Sequence, residues 1–450
     1  MRTSLRLPAL IATLLLVAAC GNGGTATTAG GSATTEAPAT TEAPATTEAP
    51  TTTVAAAGAM EMWERSGGNA PMVDALVAAW NEAEPDRPIN LTYIEHSEMV
   101  PKLAQAIASG EVPDLMGLDL IYGPQFTSAG QLEDITDLIG DDPLLGTVAQ
   151  GHIDVATWDG RLYGVPLYLD VSVLFWNKGL FEAAGLDPEV PPTNLQEIHD
   201  MAAAINDPAN GVYGYYLPGN CSGCNIFTFA PFIWASGGTI EPAAPGDEAL
   251  VPPEAIKPVL EWARMMHQEG LIDPAAQAET GNTFAEVFGS GNVGIMGTGN
   301  FNVVLAKSQN PDIDLGVTVL PGLETGQSAS FAGGDIVTIP KGSQRIEDAV
   351  DFMRFLLSDE VQVQVYAQAG NMTTREDMAD NEFSEVDEDV VATAQAIPIA
   401  QTPYTLKFFE LINSPQSPWL RMLQRVYYTE DDIDQIMADA KAEMEAIINE

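Results

Sequence analysis

The sequence predicts an α/β fold with a mainly parallel, twisted sheet, set behind an exported leader and a tether. Three observations carry that expectation. From Met60 to Asp119, short apolar stretches of period two alternate with stretches of helical period, the pattern of successive βαβ units. The chain has 450 residues, of which 46% are hydrophobic, enough for two or more sizeable cores. The first 57 residues share neither pattern, so the folded part is expected to begin near Gly58.

The leader comes first. Arg2 and Arg6 precede Leu7–Ala19, an apolar run too short to span a bilayer as a stable helix, so residues 1–19 read as an export signal. Val17-Ala18-Ala19-Cys20 resembles the lipobox of bacterial lipoproteins. That resemblance implies cleavage before Cys20 and a diacylglycerol on its sulfur. Two acyl chains would then hold the chain on the outer face of the cell membrane. The alternative is an ordinary signal peptide with an incidental cysteine. Residues 20–57 continue as Thr, Ala, Pro, Gly and Glu, with "ATTEAP" three times in succession. So little of this can be buried that a disordered leash is expected, extended by its prolines to a reach on the order of 100 Å. Thr-rich, Pro-containing stretches are also found as O-glycosylated stalks.

Charge and cysteines narrow the partners. With 63 acidic and 18 basic residues the formal net charge is −45, which argues against nucleic acid and anionic lipid surfaces. No dense carboxylate cluster suggests cation storage, and neither a metal nor a cofactor is expected. Cys221 and Cys224 in "GNCSGCN" remain after Cys20, and an even remainder in an exported chain suggests a local disulfide. A metal site there needs two more ligands, and none of the 4 histidines is near in sequence. Redox chemistry of the thioredoxin kind lacks its strand–CxxC–helix setting.

The folded part opens with "AMEMWE" as a strand. A helix follows, with apolar Met72, Val73, Leu76, Val77 and Trp80, stopping before Pro85. "INLTYIEH" alternates as a second strand, "SEMVPKLAQAIASGE" is a helix ending at Gly110, and "PDLMGLDL" is a third strand. In sheets of this kind ligands collect beyond the carboxyl ends of strands. Those ends carry Trp63-Glu64-Arg65, then Glu95, then Asp119 and Tyr122. Aromatic faces beside carboxylates suit a polyhydroxylated ligand: ring C–H groups pack on the aromatic, and carboxylates accept from vicinal hydroxyls. Taken singly, Trp63 reads more readily as core than as a ligand contact, and Glu95 or Asp119 as a helix cap.

"WDGRLYGVPLYLDVSVLFWNKGLFEAAGL" reads as a turn at Asp159-Gly160, a strand through Tyr168, a second apolar strand through Trp176 and a helix from about Gly179. Its Gly160, Pro166, Trp176, Asn177, Lys178 and Ala184-Gly185-Leu186 resemble the crossover segment of extracellular solute-binding proteins of carbohydrate-type ABC importers, the maltose-binding-protein-like family. "PPTNLQEIHDMAAAI" resembles that family's helix start, with Asn194-Leu195 where a tryptophan is usual. "PFIWASGGTI", "FAEVFGSGNVGIMGTGNFNVV" and the segment from "FAGGDIVTIPKG" to "NMTTREDM" resemble later family elements in the same order. The likeness runs from about Gly58 to Glu450.

The resemblance implies a type II periplasmic-binding-protein-like fold, with two lobes on mixed, mainly parallel sheets and a ligand cleft at the hinge. Lobe 1 would be 58–168 with 333–373, and lobe 2 would be 169–332 with 374–450. The chain would cross near Tyr168–Asp170 and return near Gly333–Asp335. The resemblance adds Asp170, Phe227 and Phe301 to the strand-end residues, and Tyr168 and Gly334 stand at the crossings; Trp234, Asn300, Asp335 and Asn371 are further candidates by position rather than by motif, with Trp234 read equally as helix core. The implied function is capture of a sugar or oligosaccharide by hinge closure, and its delivery to the transmembrane subunits of an ABC permease. The binder is expected to be monomeric and without catalysis. Two rivals stand beside it. The acidic residues would also suit a cationic solute such as a polyamine. A secreted glycoside hydrolase would need only paired carboxylates at no fixed sequence spacing, although Gly-x-Ser-x-Gly, His-Glu-x-x-His and phosphate-loop motifs are missing.

Overall fold

The computed structural model describes residues 58–450 apart from 68, 149, 282 and 384–386. The expected signal peptide, Cys20 and the expected tether lie outside the described residues. Strand β1 (Met60–Arg65), helix α1 (Ala70–Ala83), β2 (Ile89–Ile94), helix α2 (His96–Ser109) and β3 (Leu115–Asp119) follow the expected alternation. Both β2 and β3 run parallel to β1, which lies between them. Helix α1 buries Met72, Val73, Leu76, Val77 and Trp80, the apolar stripe of its sequence. Helix α2 ends on Gly110, whose φ of 75° is the left-handed conformation that glycine adopts without strain.

A difference from the expected elements comes next. The two strands predicted across Gly164–Trp176 are one 14-residue strand, β4 (Gly164–Asn177). It stays unbroken because it is paired along its length. Strand β5 (Tyr213–Tyr216), β6 (Val293–Gly299), β7 (Leu315–Thr318) and β8 (Ser328–Thr338) complete a mixed sheet of order β2-β1-β3-β8-β4-β6-β5, with β7 also on β4. The two longest strands, β4 and β8, are antiparallel to each other. Pairing runs through Ala332 with Val171, Gly333 with Asp170, Gly334 with Leu169 and Asp335 with Tyr168. One end of β8 then binds β3, while the other end of β4 binds β6 and β7. The chain thus passes twice, side by side, between the two halves of the sheet.

Helices cover the faces. On the first half, Trp80 packs edge-on at 5.4 Å against Phe352 of helix α3 (Ile346–Leu356). On the other half, Trp262 lies 5.4 Å from Phe232 and 5.5 Å from Tyr215. Asn194 caps the helix Leu195–Ile205 by accepting from the Glu197 N–H, and Leu195 is buried where a tryptophan was the family pattern. Cys221 and Cys224 form a disulfide across the start of the helix Ser222–Thr228. Among the described residues no helix is long and apolar enough to cross a membrane.

Candidate functional site

Parallel β1 and β3 finish on the same edge of the sheet, and antiparallel β8 brings Asp335 opposite Asp119 there. A buried charged group results. Arg65 donates from Nε to Asp335 Oδ1 at 2.9 Å and from Nη2 to the same oxygen at 2.6 Å, with Asp119 Oδ2 3.7 Å from Nη1. Its guanidinium also lies 6.0 Å from the Tyr168 ring centroid. Tyr168 donates to Glu64 Oε1 at 3.4 Å. Glu64 Oε2 occupies the space over Gly117: a Cβ at that glycine would be 1.6 Å away. Asp335 is 0% and Glu64 1% exposed, so water screens little of this.

Burial dominates the titration of Glu64, Asp119 and Asp170. It raises Glu64 well above the usual carboxylate range, with the Asp335 charge adding to it. Asp119 is raised to about 7 by burial, against the opposing pull of Arg65. Asp170, one strand-crossing away, is raised to about 6 by burial, again opposed by Arg65 and by an Asn69 hydrogen bond. Four carboxylates therefore gather around one guanidinium, a site rich in acceptors in which Asp119 and Asp170 hold or release protons near neutrality.

Beyond Asp170 the site turns aromatic. Gly333 joins the two parts, because a Cβ there would meet Asp170 Oδ1 at 2.1 Å and the Phe331 ring at 2.5 Å. Phe331 stacks on Trp234 with centroids 6.4 Å apart and 17° between planes, and Phe227 is 6.5 Å from Phe331 and 6.3 Å from Phe301. Phe227, Phe301 and Trp234 are each half-buried, leaving part of each ring accessible. Asn300 pairs with the neighbouring strand instead, its Oδ1 accepting from Val171 N–H and its N–H donating to Val171 O, both at 2.9 Å.

The structure brings together Glu64, Arg65, Asp119, Tyr168, Asp170 and Asp335 in one cluster. It brings Phe227, Trp234 and Phe301 into an adjoining one. Other candidates stand apart. Trp63 alternates to the face of β1 opposite Glu64, where Lys102 Nζ lies 5.0 Å from its ring centroid. Glu95 is exposed ahead of α2, and no side-chain cap joins it to that helix. Tyr122 is buried edge-on to Phe408 at 5.8 Å and accepts from Asn413 Nδ2. Gly334, with φ 117°, has no room for a side chain, since a Cβ would lie 2.1 Å from Tyr168 O. Asn371 donates its backbone N–H to Tyr366 O at 3.0 Å. Sequence reasoning missed Phe331, His152 and Tyr366. Phe331 stood in a quoted motif, one residue short of the Gly-Gly pair with only Ala332 between, and that closeness was the available signal.

Comparison with known proteins follows from this geometry. A mixed sheet carried across two halves by paired long strands, with a polar and aromatic site where they cross, is the type II periplasmic-binding-protein architecture. Residues 67–363 match the family model of bacterial extracellular solute-binding proteins, and the chain belongs to that family. A protein of Brucella abortus (strain 2308), named only as a binding protein, is 23% identical over 389 residues, 86% of this chain and 92% of its own length. The diacetylchitobiose binding protein DasA of Streptomyces coelicolor is 23% identical over 72% of this chain and 75% of its own. Among solved structures, an ABC transporter solute-binding protein of Thermotoga lettingae bound with α-D-tagatose superposes with a TM-score of 0.75. It is 23% identical and covers 87% of this chain and 100% of its own.

Proposed function

We propose that this protein captures a sugar or oligosaccharide between two lobes, 58–168 with 333–373 and 169–332 with 374–450, and hands it to the transmembrane subunits of an ABC importer. The observation that carries the reading is the junction at Gly333, where the Asp170 carboxylate and the Phe331 ring flank one α-carbon. A carboxylate accepts from ring hydroxyls while an aromatic shelf takes the apolar sugar face, and the two chemistries adjoin here. Asp119, Asp170 and Arg65 would meet hydroxyls, and Phe227, Phe301 and Trp234 would stack. Two neighbouring crossings, near Tyr168–Asp170 and Gly333–Asp335, support hinge closure, since rotation about two adjacent strands is cheap in contacts. A ligand touching both lobes then favours the closed form by its differential affinity. The acyl chains on Cys20 and the tether would keep the monomeric binder near its permease. The chemistry is binding, without turnover.

Four carboxylates against one arginine also favour a second reading, in which a cationic solute such as a polyamine supplies the missing charge. Thermal melting of the purified protein with D-tagatose, maltose, diacetylchitobiose and larger oligosaccharides, and with spermidine, separates the two. A ligand at one hundred times its dissociation constant adds about 2.7 kcal/mol. A rise with a sugar, lost in Asp170→Ala, supports the first reading, and a rise with spermidine alone supports the second. No rise with any compound overturns both.

A further inference from the structure

Two buried side chains that the site does not use hold the crossing strands by their backbone carbonyls. In the β4–β8 ladder, Asp335 pairs with Tyr168 but Ile336 pairs with Pro166, so Leu167 is the extra residue of a bulge. Its carbonyl accepts from the hydroxyl of Tyr366, a fully buried residue far along the chain. On the other crossing strand the carbonyl of Gly333 accepts from His152 Nε2 at 3.1 Å. That bond requires the proton on Nε2, and burial lowers the imidazole to about 4, so the ring is a neutral donor. Asp335 is the charged group that faces it.

Both donors are anchored outside the crossing strands. His152 rides on the helix Gln150–Val155, which packs so tightly that a Cβ at Gly123 would lie 2.3 Å from Val155 O. Tyr366 ends the helical turn Gln362–Tyr366. Between the two held carbonyls lie the site's own residues: Tyr168 and Asp170 follow Leu167, and Asp335 follows Gly333. Gly333 is also the residue whose missing side chain makes room for the Asp170 carboxylate.

We propose that His152 and Tyr366 are positioning residues of the site, each clamping one crossing strand so that Asp170 and Asp335 keep their places around Arg65. This rests on reading that cluster as the ligand cleft. It predicts an effect on a site group even without ligand, so the test needs no known solute.

The experiment is a carboxyl 13C NMR titration of the aspartate-labelled protein, the Asp170 resonance being assigned by its loss in Asp170→Asn. In the wild type, where burial raises the carboxyl, Asp170 should titrate at about 6. In Tyr366→Phe, which removes one oxygen and no ring, and in His152→Leu, the midpoint should fall toward the ordinary 3.8 as the carboxyl gains water. His152→Gln, which keeps an N–H donor, should restore most of it. An unchanged midpoint in Tyr366→Phe, with only a lower melting temperature, overturns the proposal and leaves the two residues as packing. If His152→Leu does not fold, Tyr366→Phe and His152→Gln decide. A melting panel without any ligand response would sink the functional reading while leaving this titration to be judged on its own.

Discussion

Asp170→Asn should make the protein more stable at alkaline pH while removing its ligand response. The Asp170 carboxyl is buried and its folded-state value stands at about 6 against an ordinary 3.8, with burial as the main cause. The sign follows directly. A carboxyl raised by folding binds more protons folded than unfolded between those two values, so its contribution is fully present below 3.8 and is lost as pH rises through about 6. At about 1.4 kcal/mol for each tenfold, the displacement corresponds to about 3 kcal/mol by pH 8. The asparagine amide keeps the shape and stays neutral. That figure is already net of the Asn69 hydrogen bond and the Arg65 charge, both of which oppose burial. The net expectation is a gain of about 3 kcal/mol at pH 8 and none at pH 4. Urea denaturation of both proteins from pH 4 to 8 measures it, and the difference between the profiles removes the contributions of the buried histidines. Parallel profiles, or a variant less stable at pH 8, would refute the argument that an uncompensated charge is stored at the crossing. Function held at the expense of stability is the common arrangement in binding sites.

Gly117→Ala should cost about 2 kcal/mol or more, because its new methyl falls 1.6 Å from Glu64 Oε2 and must displace a buried carboxylate. In a Glu64→Ala background the same change should cost much less, and a double-mutant cycle by urea denaturation reads the coupling. Phe331→Ala removes the ring that stacks on Trp234 and should lower stability by about 3 kcal/mol together with the melting response to sugar; an unaltered sugar response would remove the aromatic shelf from the site. Replacing Cys221 and Cys224 together by serine should cost only about 2 kcal/mol, because the loop they close is short, and calorimetry of the two forms checks this.

The early strands and helices were legible because their apolar residues carry a local period. Met60–Arg65, Ala70–Ala83 and Ile89–Ile94 needed no distant partner to be read. The unity of β4 was not legible. A run from Val165 to Trp176 that is apolar apart from Asp170 and Ser172 has no sustained period to say where one pairing partner ends and the next begins. The same limit applies to the site. Residues at strand ends were visible as chemistry, yet period-two alternation sends Trp63 away from Glu64, and an edge strand leaves Glu95 in water.

What the sequence alone determined was the order and type of the elements, the family likeness, and the presence of acids and aromatics at strand ends, since these are properties of neighbours along the chain. Tertiary structure decided which of those groups meet. Arg65 finds Asp335 at a separation of 270 residues, and the carbonyls of Gly333 and Leu167 find His152 and Tyr366 at 181 and 199. Such contacts are set by sheet order and register, where a shift of one residue turns every side chain to the opposite face. Burial decided the rest, because a carboxyl becomes a poised acceptor only when the fold takes water away from it.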